Sequence, residues 1–166
     1  MRCHWLIALL LLLVSQTGRA DDLKIRDVFK QMPDTLMPYL SENNRLDFID
    51  FIDSQMKAEV KNRLGGTSEM LSLTDSTLCI RMSEALQVDM LLLTPVSPDD
   101  TSSQIVCLIE TFGRDSLSQE SRVRFFTLSW QLMNQLPNLS VSDQNTISSK
   151  KVQTILKRDN EILKKN

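Results

Sequence analysis

The chain has 166 residues, enough for one domain with its own core, and its 19 Lys and Arg stand against 21 Asp and Glu, a net charge of −2. Without a basic excess, or a basic stripe interleaved with aromatic residues, a nucleic-acid partner is excluded. The single histidine, His4, lies in a segment read below as removed, so Ser-His-Asp and Cys-His chemistry and the common zinc sites are excluded too, and no metal or cofactor is expected.

Residues 1–20 read as a signal peptide: a positive charge at Arg2, an apolar run from Leu6 to Val14, polar Ser15 to Thr17, then the small-x-small site Gly18-Arg19-Ala20. Cleavage is expected between Ala20 and Asp21. The apolar run is roughly half of the ~20 residues that a spanning helix needs, so no permanent membrane span is expected. Cys3 precedes the run and cannot be a lipoprotein cysteine. Removing 20 of the 166 residues leaves 146, and without Arg2 and Arg19 the balance is 17 basic against 21 acidic residues, a net −4. The product is expected to be periplasmic or extracellular.

Asp21 and Asp22 can cap a first helix in which Ile25, Val28, Phe29 and Met32 share one face, and Pro33 ends it. Residues 33–40, with a proline near each end, read as a packed connector. Asn44 and Asp47 resemble a capping box. The spacing of Ile49, Ile52, Met56 and Val60 predicts a second helix from Arg45 to Leu64, ended by Gly65-Gly66. The apolar period then changes from helical to two. Strands are predicted at Glu69–Thr74, Thr77–Met82, Leu86–Leu93, Gln104–Phe112 and Arg122–Leu132, the last with Phe126, Leu128 and Trp130 on one face. Gln104–Phe112 is apolar on both faces and reads as central. Loops too short for helical crossovers make these strands antiparallel.

The polar stretch 137–149 reads as a linker, and Lys150 to Lys165 recovers a helical period through Val152, Ile155, Leu156, Ile162 and Leu163. The fold class is therefore α+β: two N-terminal helices packed on a curved antiparallel sheet of about four to five strands, with a polar C-terminal tail that can form a helix. Residues 21–136 make the single domain, 137–149 the linker and 150–166 the C-terminal helix or tail.

The run Asp27-Val28-Phe29-Lys30-Gln31-Met32-Pro33-Asp34, the stretches 36–40, 44–47 and 57–60, and the later Gln104-Ile105-Val106-Cys107 and Phe126-Thr127-Leu128-Ser129-Trp130 resemble the domain of unknown function 3256 family, short secreted proteins of Bacteroides-type bacteria. The resemblance covers roughly residues 27–136. It implies an exported protein of a bacterium with two membranes, and it brings no catalytic residues. Chains of that family continue after the Trp strand with further helix and strand, whereas residues 137–166 here are short and polar.

Candidate sites are few. Asp47, Asp50 and Asp53 could offer oxygen ligands to calcium, but three-residue steps fan them about 120° around a helix, and a solvated face paired with Lys57 and Lys61 is favoured. Glu110 interrupts an apolar strand and could serve as an acid; the simpler reading is that it sits where the sheet face reaches solvent, or pairs with Arg122 or Arg124 on the next strand. An oxidising compartment permits a Cys79–Cys107 disulfide, although strand cysteines also serve as buried apolar groups. The methionines at 32, 37, 56, 70, 82 and 90 read as core filling, and the Asn138-Leu139-Ser140 sequon matters only in a eukaryotic secretory route.

The leading expectation is an exported, non-catalytic binding module of the cell envelope with an envelope protein or glycan partner. The alternatives are a carboxylate-dependent envelope hydrolase using Glu110 and Asp89, and a membrane-docked accessory protein using Lys150 to Lys165 as an interfacial helix.

Overall fold

The computed structural model describes residues 23–96, 103–114, 118–148 and 152–154. The expected signal segment 1–20, the expected cleavage site at Ala20 and Asp21, and residues 155–166 lie outside the described residues.

Helix α1, Ile25–Lys30, buries Ile25, Val28 and Phe29, as the apolar spacing predicts. Its N-cap is Lys24 and no side chain caps it; Asp21 and Asp22 lie outside the described residues. The first helical N–H instead donates to the Asp75 carbonyl of a turn between strands at 2.8 Å, so a sheet turn replaces a capping residue.

Helix α2, Glu42–Asp53, starts three residues earlier and ends eleven residues sooner than its pattern predicts. Ser41 is the N-cap, and Asn44 is the third helical residue that completes the capping box, not the cap. At the other end Gln55 has φ 57, a left-handed conformation that stops a helix. Met56 is therefore left exposed and Val60 belongs to strand β1, Glu59–Lys61. Gly65-Gly66 sits in the turn from β1 to β2, where Gly65 has φ 79 and the Asn62 side chain accepts the N–H groups of Leu64 and Gly66. Glycine's ease at positive φ turned a hairpin there rather than capping a helix.

Strands β2 (Thr67–Leu73), β3 (Thr77–Ser83), β4 (Leu86–Leu93), β5 (Ile105–Phe112) and β6 (Glu120–Phe126) follow. With β1 they make a six-stranded antiparallel meander whose spatial order is the chain order, so the fold is α+β with more strands than the four to five expected. Register shifts between Met70 and Ser72 and between Arg81 and Ser83 bend the sheet. A three-residue strand β7, Val152–Thr154, adds parallel to β6.

Two further corrections concern the C-terminal half. Strand β6 ends at Phe126, not Leu132: Thr127 accepts the Gln131 N–H on its side chain, closing a turn that leaves Trp130 at φ 63. The stretch 137–149 is not an open linker, because Val141–Ser148 forms helix α3 and Leu139 and Ile147 are buried. Residues 152–154 of the anticipated C-terminal helix are strand.

The sheet separates two apolar clusters. On the first face, Met70, Leu78, Ile80, Val88, Met90, Val106 and Leu108 pack under Phe29, Met32, Leu40 and Phe48 of the helices and connector. On the second face, Leu93, Ile105, Cys107, Ile109, Val123 and Phe125 meet Leu139 and Ile147. Strand β5 contributes to both and is buried from Ile105 to Ile109, the central position its composition predicts.

Candidate functional site

Alternation along β5 and β6 sends Val106, Leu108, Glu110 and Phe112, with Arg122, Arg124 and Phe126, to the helix-covered face. The helices cover only part of that face. At its uncovered end Glu110 is the cross-strand neighbour of Arg122, and its side chain is 12% exposed. Glu110 Oε2 accepts from Arg122 Nε at 2.8 Å and from an Arg124 terminal nitrogen at 3.0 Å. The two guanidinium groups in turn lie over aromatic rings, Arg122 at 5.6 Å from the Phe112 centroid and Arg124 at 5.4 Å from that of Phe126. The pairing read from sequence is present, with both arginines rather than one.

Glu110 also borders a shallow cleft between the sheet and the connector, lined by Leu36, Pro38, Tyr39, Leu86 and Leu108. Its enclosed space is about 30 Å³, room for a water or two and not for a small-molecule substrate. Leu86 is the cross-strand neighbour of Phe112, so the cleft runs on into the Phe112 and Arg122 surface, which is 41% exposed at Phe112 and 42% at the Arg122 side chain.

The proposed acid pair is not assembled. Asp89 stands opposite Ile109, and Glu110 opposite Val88, so the two carboxylates leave the sheet on opposite faces. Register places a different acid on the face of Glu110: Glu120, opposite Phe112 and diagonal to Glu110, a separation on the order of 7–8 Å. Sequence reasoning missed it because the strand was taken to begin at Arg122.

The cysteines do not bond to each other. Cys79 pairs in register with Asp89 across β3 and β4, and Cys107 with Leu91 across β4 and β5, so a whole strand lies between them. Two strand spacings are roughly 9.6 Å, beyond the Cα separation that a disulfide can bridge. Burial first, and then the charge of Asp143, pushes the Cys107 thiol up to about 12. Cys79 lines a cavity of about 150 Å³ on the second face, with Ser72, Thr77, Asp89, Leu91 and Thr146.

Asp47, Asp50 and Asp53 are all exposed along α2, a solvated face. Their expected lysine partners are elsewhere, because the helix stops before Lys57. Lys57 instead pairs with Glu59, and Asp53 takes both terminal nitrogens of Arg26 from α1 at 2.9 and 3.1 Å. That pairing holds the Asp53 carboxyl below its usual range. Among the described residues no group of three or more His, Cys, Asp or Glu side chains could hold a metal ion. Met32, Met37, Met70, Met82 and Met90 are core residues, while Met56 is 54% exposed.

A second ion triad escaped the sequence. Asp34 of the connector accepts from buried Arg45 and from Arg63, each at 2.8 Å, one on either carboxylate oxygen. Arg45 before all, then Arg63, hold its carboxyl below the usual range. This triad ties the connector to α2 and to the β1–β2 turn, and so positions Pro38 and Tyr39 over the cleft.

Comparison with known proteins places this architecture. A model of the family described as Protein of unknown function (DUF3256) matches residues 18–161. The chain belongs to that family. A solved domain of an uncharacterized protein from Porphyromonas gingivalis W83 is similar at a TM-score of 0.52 and 23% identity, over 65% of this chain and 52% of that one. This chain therefore spans about half the length of that relative, and the likeness shows the fold. No curated protein matches. No helix among the described residues is long and apolar enough to cross a membrane.

Proposed function

We propose that this family member is an exported, non-catalytic binding module of the cell envelope, and that it meets an envelope protein through the surface around Tyr39, Phe112 and Arg122. The observation that carries the reading is the half-exposed aromatic and guanidinium cluster at the uncovered end of the sheet, continuous with the cleft under Tyr39. Tyr and Arg are the side chains that most often anchor protein interfaces, because each brings large contact area and a directed polar group at modest entropic cost. The triad at Glu110 holds Arg122 over Phe112 before any partner arrives, which lowers the ordering cost of binding. Export rests on the order of charge, apolar run and small residues in 1–20.

Carboxylate hydrolysis is the second reading, and register would give Glu110 the partner Glu120 rather than Asp89. Two arginines on one oxygen of Glu110 weigh against it, since they occupy the carboxylate that a substrate would have to meet.

The test is capture from envelope extract of the native host with a tagged chain starting at Asp21, beside a Tyr39→Ser/Phe112→Ser/Arg122→Ser variant. A defined protein held by the first and lost by the second, with circular dichroism unchanged, supports the reading. Capture of glycan instead corrects the partner class. Equal capture by both chains removes the surface. Substrate turnover that persists through repurification and vanishes in Glu110→Gln would replace binding with catalysis.

A further inference from the structure

The two faces of the sheet are closed very differently. The first is covered by two helices and the connector, which drive Phe29, Met32, Leu40 and Phe48 into it. The second has, among the described residues, a cover that reaches its apolar cluster through two side chains, Leu139 and Ile147 at 9% and 8% exposure, with Met133 beside them. Between those two, Val141, Ser142, Gln144, Asn145 and Thr146 are exposed and only Ser140 and Asp143 are half-buried. Helix α3 is polar over most of its circumference and is capped within itself, the Asp143 N–H donating to Ser140 Oγ at 3.2 Å.

The segment is fastened at both ends. At the near end the Val96 N–H donates to the Asn138 carbonyl at 2.7 Å, and Asn138 Nδ2 donates to the Val96 carbonyl at 3.1 Å. At the far end β7 pairs with β6. Neither Leu139 nor Ile147 belongs to the helix-side cluster, so lifting them leaves that cluster intact. Segments with few buried apolar contacts open at a fraction of the free energy of global unfolding.

We propose that residues 139–147 are a strap that swings off the second face, between the Asn138–Val96 fastening and β7, while the helix-covered domain stays folded. Opening uncovers an apolar strip through Ile109, Cys107, Val123 and Phe125 and joins it to the cavity that Thr146 borders. This is a property of the face opposite the Tyr39 surface and stands whether or not that surface binds.

Cys107 reports the motion. It is 0% exposed, and the charge of Asp143, a strap residue, reaches it. In the full chain carrying Cys3→Ser and Cys79→Ser, Cys107 is the single thiol. Its alkylation is followed by mass spectrometry against urea, with global unfolding read by circular dichroism. The expected result is labelling at least about tenfold faster than global unfolding allows, with a shallower urea dependence, because a smaller surface is exposed on opening. Ile147→Asp should raise the rate by a further tenfold or about that, with the circular-dichroism midpoint little changed. If Ile147→Asp does not fold, Leu139→Ala serves, and the urea slope of the parent decides alone. Labelling that follows global unfolding in rate and slope overturns the proposal. So does a midpoint that falls in step with the labelling rate.

Discussion

Trp130 donates its indole N–H to the main-chain carbonyl of Val28 at 3.1 Å, across 102 positions of sequence. Val28 is near the end of a six-residue helix, where carbonyls have no helical partner, so a side chain from beyond the last long strand satisfies α1. The indole also packs on Phe126 with centroids 5.6 Å apart. Trp130→Phe keeps a ring but orphans that carbonyl and loses contact area. Urea unfolding should show a loss of about 2 kcal/mol. A loss under about 0.5 kcal/mol would mean that water replaces the indole without cost.

Removing Glu110 strips the counter-charge from Arg124, which is 15% exposed and whose Nε already lies buried without an acceptor. Glu110→Ala should cost about 2 kcal/mol, below the roughly 3–5 kcal/mol of a fully buried pair because Arg122 is screened by solvent. Glu110→Leu/Arg124→Leu should recover most of it, since apolar groups of similar volume replace a buried pair at little cost. A double variant as unstable as the single one would show that packing, not charge, is at stake.

Gly113 and Gln55 form a pair of opposite sign. Gly113 has φ 115, and a Cβ there would meet the Ser118 carbonyl oxygen at 3.0 Å and Gln119 Cα at 3.1 Å, so Gly113→Ala should lower stability by about 1–3 kcal/mol. Gln55 holds φ 57 with a side chain, so Gln55→Gly should raise the thermal midpoint, a gain of up to about 1 kcal/mol. Equal signs from the two substitutions would contradict this backbone assignment.

Asp34 links stability to acid. Its folded carboxyl is held below the ordinary value of 3.8 by Arg45 and Arg63, so its contribution is present above that value and fades as pH falls through the lower folded one. Asp53, lowered by Arg26, acts in the same direction and the same window. Urea midpoints from pH 7 downward should fall less steeply in Asp34→Asn than in the parent, the difference appearing below about pH 5. Parallel curves offset by a constant would remove Asp34 from the acid response.

Much of the fold was legible because period reports burial directly. The apolar faces of α1, β3, β4 and β5 were readable, as was the two-sided burial of β5, and the link from Glu110 to the next strand followed from alternation. Termini were less legible. The pattern through Met56 and Val60 continued a helical period by coincidence, and it took the left-handed Gln55 to end α2, which no glycine or proline announces. Leu128 and Trp130 alternate as a strand would, yet a turn held by Thr127 carries them. The Asp34 triad was invisible because it joins residues 34, 45 and 63, which only the folded connector brings together. For the cysteines, sequence shows two thiols on strands but not the strand between them.

The order in which the elements occur has a consequence during synthesis. Both helices and the connector leave the ribosome before any of the strands they cover, since β3, β4 and β5 begin at Thr77, Leu86 and Ile105. For that interval Phe29, Met32 and Phe48 have no surface to rest on, and α1 and α2 are too short to persist alone in water. The apolar faces of the nascent N-terminal third thus gain their packing partners only once the meander has emerged.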